Sequence, residues 1–156
     1  MKTAMSELVS GHPLLAGLPG DAVAHVAGCA RNEAFGPGSL LLAEGDPAGT
    51  FYLLRRGRVA IEVYAPGRGS ISVETVEPGA IVGWSWLFPP YRSHFDARAI
   101  DAVGVIAVDG TCLRAKAEID PVFGYALMTR MAGLLLERLQ ATRVRLLDLY
   151  GTGDVR

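Results

Sequence analysis

The chain has 156 residues, half of them apolar, with 15 basic and 16 acidic side chains and a formal net charge of −1. That length suits one domain with a sizeable core, and the apolar fraction excludes an intrinsically disordered chain. Charges of both signs are interspersed, which excludes broad electrostatic binding to nucleic acid or to an anionic membrane but leaves room for a small local anion site.

The opening MKTAMSELVSGHPLLAGLPGD has no continuous apolar stretch of the kind a secretory signal needs. PLLAGL predicts a turn or so of helix, punctuated by Pro19-Gly20. Asp21 is then placed to cap a second helix, with Val23, Val26, Ala27 and Ala30 on one face. From Asn32 to Val108 the texture changes: glycine and proline recur at short intervals between brief apolar runs. Val59, Ile61 and Val63 alternate with Ala60, Glu62 and Tyr64, the period of a half-buried strand. Many short strands between tight turns predict an antiparallel sandwich or barrel rather than βαβ units. Ala102 to Val108 is the longest clean apolar run, far too short to span a bilayer, and reads as a buried strand. A cytoplasmic protein without a membrane anchor is the expectation.

After Gly110, TCLRAKAEID predicts a short helix capped by Thr111, and Pro121 opens a long one from Val122 to about Tyr150. In it Met128, Ala132, Leu135, Leu139, Thr142, Leu146 and Leu149 are spaced by alternating fours and threes, a heptad seam. Such a helix spans on the order of 40 Å, more than a small barrel can cover. The seam therefore predicts a homodimer, with a partner protein as the competing occupant.

The two cysteines, Cys29 and Cys112, lie far apart and form no C-x-x-C pair, so free buried thiols in a reducing compartment are expected. His25 and Cys29 share i,i+4 spacing, but two ligands without partners make a poor metal site, and no metal is expected. Motifs of the G-x-S-x-G, H-E-x-x-H and G-x-x-x-x-G-K types are lacking. His94 and Asp96 lie two apart on a strand without a nucleophile, so no catalysis is expected.

EGDPAGTFYLLRRGRV, Glu44 to Val59, resembles the E-G-D-x-x-x-x-F-Y-x-[ILV]-x-x-G-x-V signature of the cyclic nucleotide-binding domain family. EPGAIVGWSWLF resembles that family's next element, and HPLLAGLP its opening helix. The likeness is strongest to the sensor half of Crp/Fnr-type regulators, including a subgroup of small stand-alone bacterial proteins with the same G-W-S-W-L-F-P-P-Y element. It covers His12 to Tyr150 and implies one domain: N-terminal helices over 12–31, an antiparallel double-stranded β-helix (a jelly-roll-like β-roll) over 32–109, and C-terminal helices over 111–150. The helix-turn-helix of such regulators would follow the long helix, and only GTGDVR remains after Tyr150, so direct DNA binding is not expected. No cofactor is implied beyond the ligand itself, cAMP or cGMP.

By this resemblance the ligand-binding candidates are Gly83, Trp84, Ser85, Arg92 and Ser93. The family binds phosphate with an arginine and with N–H groups at the start of a short helix, and a glutamate after the glycine accepts the ribose hydroxyl. Here Trp84 follows Gly83, and an indole has a donor but no acceptor. Trp84 either fills the pocket or forms part of a different wall. Arg92-Ser93 fits the phosphate dipeptide, but counting back from Ala99 without a gap puts Ser93 at the arginine position. Strand alternation favours the second alignment, with Ser93, Phe95, Ala97 and Ala99 on one face. Trp84, Trp86, Phe88 and Phe95 are then either core aromatics closing the roll or walls for a different anionic or aromatic ligand. The sequence thus predicts a non-catalytic sensor with weak or altered cyclic nucleotide binding, or an interaction adaptor with an occluded pocket.

Overall fold

The computed structural model describes residues 4–154. Helices α1 (Ala4–Ser10) and α2 (Gly20–Ala27) flank a 3-10 turn at Pro13–Leu15. Strands β1 (Ala30–Phe35), β2 (Leu40–Leu42), β3 (Thr50–Arg56), β4 (Val59–Ala65), β5 (Gly69–Val76) and β6 (Ile81–Val82) follow. A second 3-10 turn, Ser85–Leu87, leads to β7 (Asp96–Ala99) and β8 (Val103–Asp109), then α3 (Gly110–Ile119) and α4 (Pro121–Asp154). The strands form two four-stranded sheets, β1-β8-β3-β6 and β2-β7-β4-β5, every pairing antiparallel. The jelly-roll-like β-roll with its long C-terminal helix is therefore present.

Strands β3 and β8 of the first sheet are buried on both faces. On β3, Phe51 and Leu53 pack against the helices, while Tyr52 and Leu54 face the second sheet. On β8, Ile106 and Val108 take the helical side, and Val103, Val105 and Ala107 the roll interior. That double burial is why β8 reads as an unbroken apolar run. Gly45 and Gly57 sit in turns with φ of 86° and 81°.

Local details differ from the expectations. A helix at Ala4–Ser10 precedes the predicted ones. Pro19, not Asp21, is the N-cap of α2, and Asp21 lies in its first turn. Asp109, not Thr111, caps α3: its carboxylate accepts the Cys112 amide at 3.1 Å. Helix α4 runs through Asp154 rather than stopping near Tyr150, and the last two positions of GTGDVR lie outside the described residues.

The cysteines are not free thiols. Cys29 and Cys112 form a disulfide with Cα atoms 5.8 Å apart. Register explains the meeting: Ala30 pairs with Val108, the Asp109 amide donates to the Cys29 carbonyl at 2.9 Å, and one helical turn then carries Cys112 back over Cys29. Cys29 is thus engaged and does not join His25 as a ligand pair. The His25 Nε2 instead meets the Asp120 carboxylate at 3.2 Å.

Helix α4 is 34 residues long, about 51 Å at 1.5 Å per residue. Phe123, Leu127 and Met131 are buried against the domain. The seam residues Met128, Ala132, Leu135, Leu139, Thr142, Leu146 and Leu149 are all exposed. Arg138 ties the middle of the helix to Glu74 at 2.7 Å, and Arg145 reaches the Val73 carbonyl at 3.1 Å. No helix among the described residues is long and apolar enough to cross a membrane.

Candidate functional site

The Gly83–Ser93 element joins β6 to the segment before β7. Along β6, Ile81 faces the helices and Val82 the roll interior. Continued alternation would send Trp84 into the roll with Val82. The strand stops at Val82 instead, and Gly83 turns the chain with φ of 99°. A Cβ at Gly83 would meet Leu42 Cδ1 at 3.2 Å. Past this turn Trp84 packs against the helical-side core. It lines a cleft of about 220 Å³ with Leu134, Glu137, Arg138 and Ala141 of α4. Trp84 therefore does not fill the roll interior.

Trp86 is buried on the same side, its ring stacked on Phe51 with centroids 4.5 Å apart. Gly110 abuts it so closely that a Cβ there would lie 2.8 Å from the Trp86 side chain. Arg114 of α3 donates to the Trp86 carbonyl and lies over the Tyr91 ring, 4.3 Å from its centroid. Ser85 opens the 3-10 turn and is half-buried. Phe88 is 61% exposed, whereas Phe95 packs against the roll interior. The four aromatics thus divide among the helical side, the roll interior and the surface rather than closing the roll together.

The segment Tyr91–Ser93 is sealed onto the turn after β2. The Gly45 amide donates to the Ser93 carbonyl at 2.8 Å, the Ser93 amide to the Asp46 carbonyl at 3.0 Å, and the Ala48 amide to the Tyr91 carbonyl at 2.8 Å. Arg92 is exposed, with Nη1 on the Gly45 carbonyl at 2.9 Å. Ser93 is 5% exposed and faces inward with Ala97 and Ala99, the face that alternation indicates. His94 is exposed, and Asp96 accepts the Glu44 amide at 2.7 Å, a structural contact.

Within the roll, a cavity of about 170 Å³ is lined by Leu41, Leu42, Ala43, Asp46, Pro47, Gly49, Thr50, Tyr52 and Ser93. Among these Asp46 is the one carboxylate, and none is cationic. Burial, with Glu33 nearby, pushes the Tyr52 phenol up, so it stays neutral near pH 7. Gly83, Trp84, Ser85 and Arg92 do not line this cavity; Ser93 does. Asp46, Thr50 and Tyr52 were missed as candidates. The Glu44–Val59 motif contains all three, but it reads as scaffold until the packing of β3 over the second sheet brings them together with Ser93.

These observations describe a β-roll with a small polar cavity on one side of a sheet and a tryptophan-bearing turn between that sheet and a long helix. Residues 32–120 match the model of the cyclic nucleotide-binding domain, and the chain belongs to that family. Among solved structures it resembles a protein of Geobacter metallireducens assigned to cyclic nucleotide binding, at 29% identity, TM-score 0.76, and coverage of 88% of this chain and 99% of that one. It also resembles a cyclic nucleotide-binding domain from Methylobacillus flagellatus, at 22% identity, TM-score 0.78, and coverage of 92% and 81%. The catabolite activator protein of Thermus thermophilus shares the fold at 22% identity and TM-score 0.69, with 89% of this chain and 63% of that one covered. No curated protein matches the sequence.

Proposed function

We propose that the chain is a non-catalytic regulatory module of the cyclic nucleotide-binding class that binds cAMP or cGMP weakly or not at all and passes its signal through α4. The observation that carries this reading is the lining of the roll cavity. A cyclic phosphate needs a cationic partner there, and Asp46 offers a carboxylate instead. The ribose acceptor that the resemblance implies is replaced by Trp84, on the far side of the sheet. Losing one charge-assisted hydrogen bond costs a few kcal/mol, on the order of a hundredfold in affinity. A cavity of about 170 Å³ also falls below the roughly 300–1,000 Å³ usual for small-molecule sites. Isothermal titration of the chain with each nucleotide tests this directly. No heat at micromolar concentration is expected. A micromolar Kd that is lost in Arg92→Ala would overturn the reading and restore Arg92 as the phosphate residue.

The exposed α4 seam supports a parallel homodimer as the working form, with the seam as the route out of the domain. The second reading, an adaptor that docks another protein with no ligand at all, is favoured by the small cavity and by the tryptophans packing towards α4. It predicts a stoichiometric partner in a pull-down that is lost when the seam carries charge.

A further inference from the structure

We propose that Cys29–Cys112 is an exchangeable disulfide, a thiol-modification site opened by a small or protein dithiol, and that its state sets the position of α3 and with it the Trp84–Tyr91 element. The bond sits where several contacts of the candidate site converge. From the turn that holds Cys112, the Gly110 amide donates to the carbonyl of Gly49, a lining residue of the roll cavity, at 2.7 Å. Gly110 also abuts Trp86, and Arg114 holds the Trp86 carbonyl and covers Tyr91. On the other side, the Asp109 amide binds the Cys29 carbonyl. Opening the bond removes the covalent tie between the first turn of α3 and the α2–β1 junction, leaving the Asp109–Cys29 and Lys116–His25 hydrogen bonds there, and that turn is what backs the tryptophan element.

The two sulfurs differ in surroundings. Cys29 is 8% exposed, whereas Cys112 is half-buried in the first turn of α3. Lys116, one turn further along α3, reaches over Gly28 to the His25 carbonyl at 3.1 Å and so stands beside the neighbour of Cys29. The helix start and this ammonium favour an approaching and a departing thiolate. In exchange, a thiolate of the dithiol attacks Sγ of Cys112. The Sγ–Sγ bond breaks, and Cys29 leaves as a thiolate and takes up a proton. The second thiolate of the reductant attacks the mixed disulfide, releases Cys112, which is protonated in turn, and closes its own disulfide. Two electrons pass from the dithiol to the protein.

The coupling to the candidate site rests on the reading above, but the test needs no nucleotide, so the two fail separately. The full chain, isolated without reductant, is incubated in native buffer with dithiothreitol, alkylated and weighed, while emission of its two tryptophans is followed. The expected result is a mass gain of two alkyl groups without denaturant, an emission shift, and reversal of both by glutathione disulfide. A monothiol should be trapped on Cys112 rather than Cys29. A bond that opens only in denaturant is a fixed staple and overturns the proposal. So do free thiols that glutathione disulfide does not close, and opening that leaves the tryptophan emission unchanged. Cys112→Ser should show the reduced-state emission and ignore the dithiol; if it does not fold, the wild-type traces still decide.

Discussion

Gly83 determines which side of the sheet the tryptophans occupy, through a φ of 99° that L side chains rarely adopt. Gly83→Ala should cost about 1–3 kcal/mol, from that conformation and from the press on Leu42. Urea unfolding measures the loss, and a red shift of tryptophan emission should accompany it. The position after the glycine carries a different lesson. Trp84→Glu would rebuild the family's dipeptide, yet the carboxylate would enter the cleft with Glu137 and Arg138, not the roll. Calorimetry should find no gain in nucleotide binding; a gain would show that the turn can face inward. His12 supplies a pH dependence. Its Nδ1 accepts the Leu14 amide at 3.1 Å, so Nε2 carries the proton donated to the Ala80 carbonyl at 3.2 Å. Burial, with Arg130 nearby, holds its pKa below the ordinary 6.5 against the pull of the Ala80 bond. Between the folded value and 6.5 the unfolded chain binds the proton, so stability is full above pH 6.5 and falls as pH drops through this window. Unfolding midpoints measured from pH 7 to 5 should decline, and His12→Asn should flatten that part of the curve.

Helix α4 has two apolar faces with different fates. Phe123, Leu127 and Met131 are buried in the domain, while Leu135 and Leu139 of the seam are 36% and 48% exposed. Charging them, as Leu135→Glu with Leu139→Glu, should leave the domain folded and give a monomer in light scattering. A wild-type chain that is already monomeric at micromolar concentration would remove the dimer. The Glu74 carboxylate, 20% exposed and bound to Arg138 at 2.7 Å, holds the middle of the helix. Glu74→Gln should raise amide exchange beyond Arg138 while sparing the turns around Phe123. The long helix and the strand-rich middle were legible in the sequence because heptad spacing and period-two alternation are local signals. The choice of Asp109 over Thr111 as cap was not, since two good capping residues stood close together. The end of β6 was not legible either, so the direction of Trp84 stayed open.

Across the molecule, what the sequence could not supply is long-range register. Ser93 was placed inward by alternation alone, but Asp46 joins it because the Ser93 amide binds the Asp46 carbonyl, and Tyr52 because β3 of the other sheet turns that side chain into the roll. The disulfide follows from the pairing of β1 with β8 over a separation of 83 residues. Nothing in a list of two distant cysteines encodes that meeting, and compartment arguments pointed towards free thiols. The division of the core into a roll interior and a helical side was equally invisible. It is what separates the cavity from the tryptophans.

The bridge between Cys29 and Cys112 also decides how the molecule carries load. Everything between them, including all eight strands, lies in the closed loop. Along the covalent chain, a pull applied between the N-terminal helices and the end of α4 runs from Cys29 straight to Cys112 and reaches the roll only through side-chain ties such as Arg138–Glu74 and Arg145–Val73. Only cutting the bridge would let the 83 residues pay out, roughly 290 Å of extended chain at about 3.5 Å per residue. Once the ties of Arg138 and Arg145 to β5 have given way, tension borne by the long helix is carried by α2, α3 and their junctions, and the strands inside the loop are not extended.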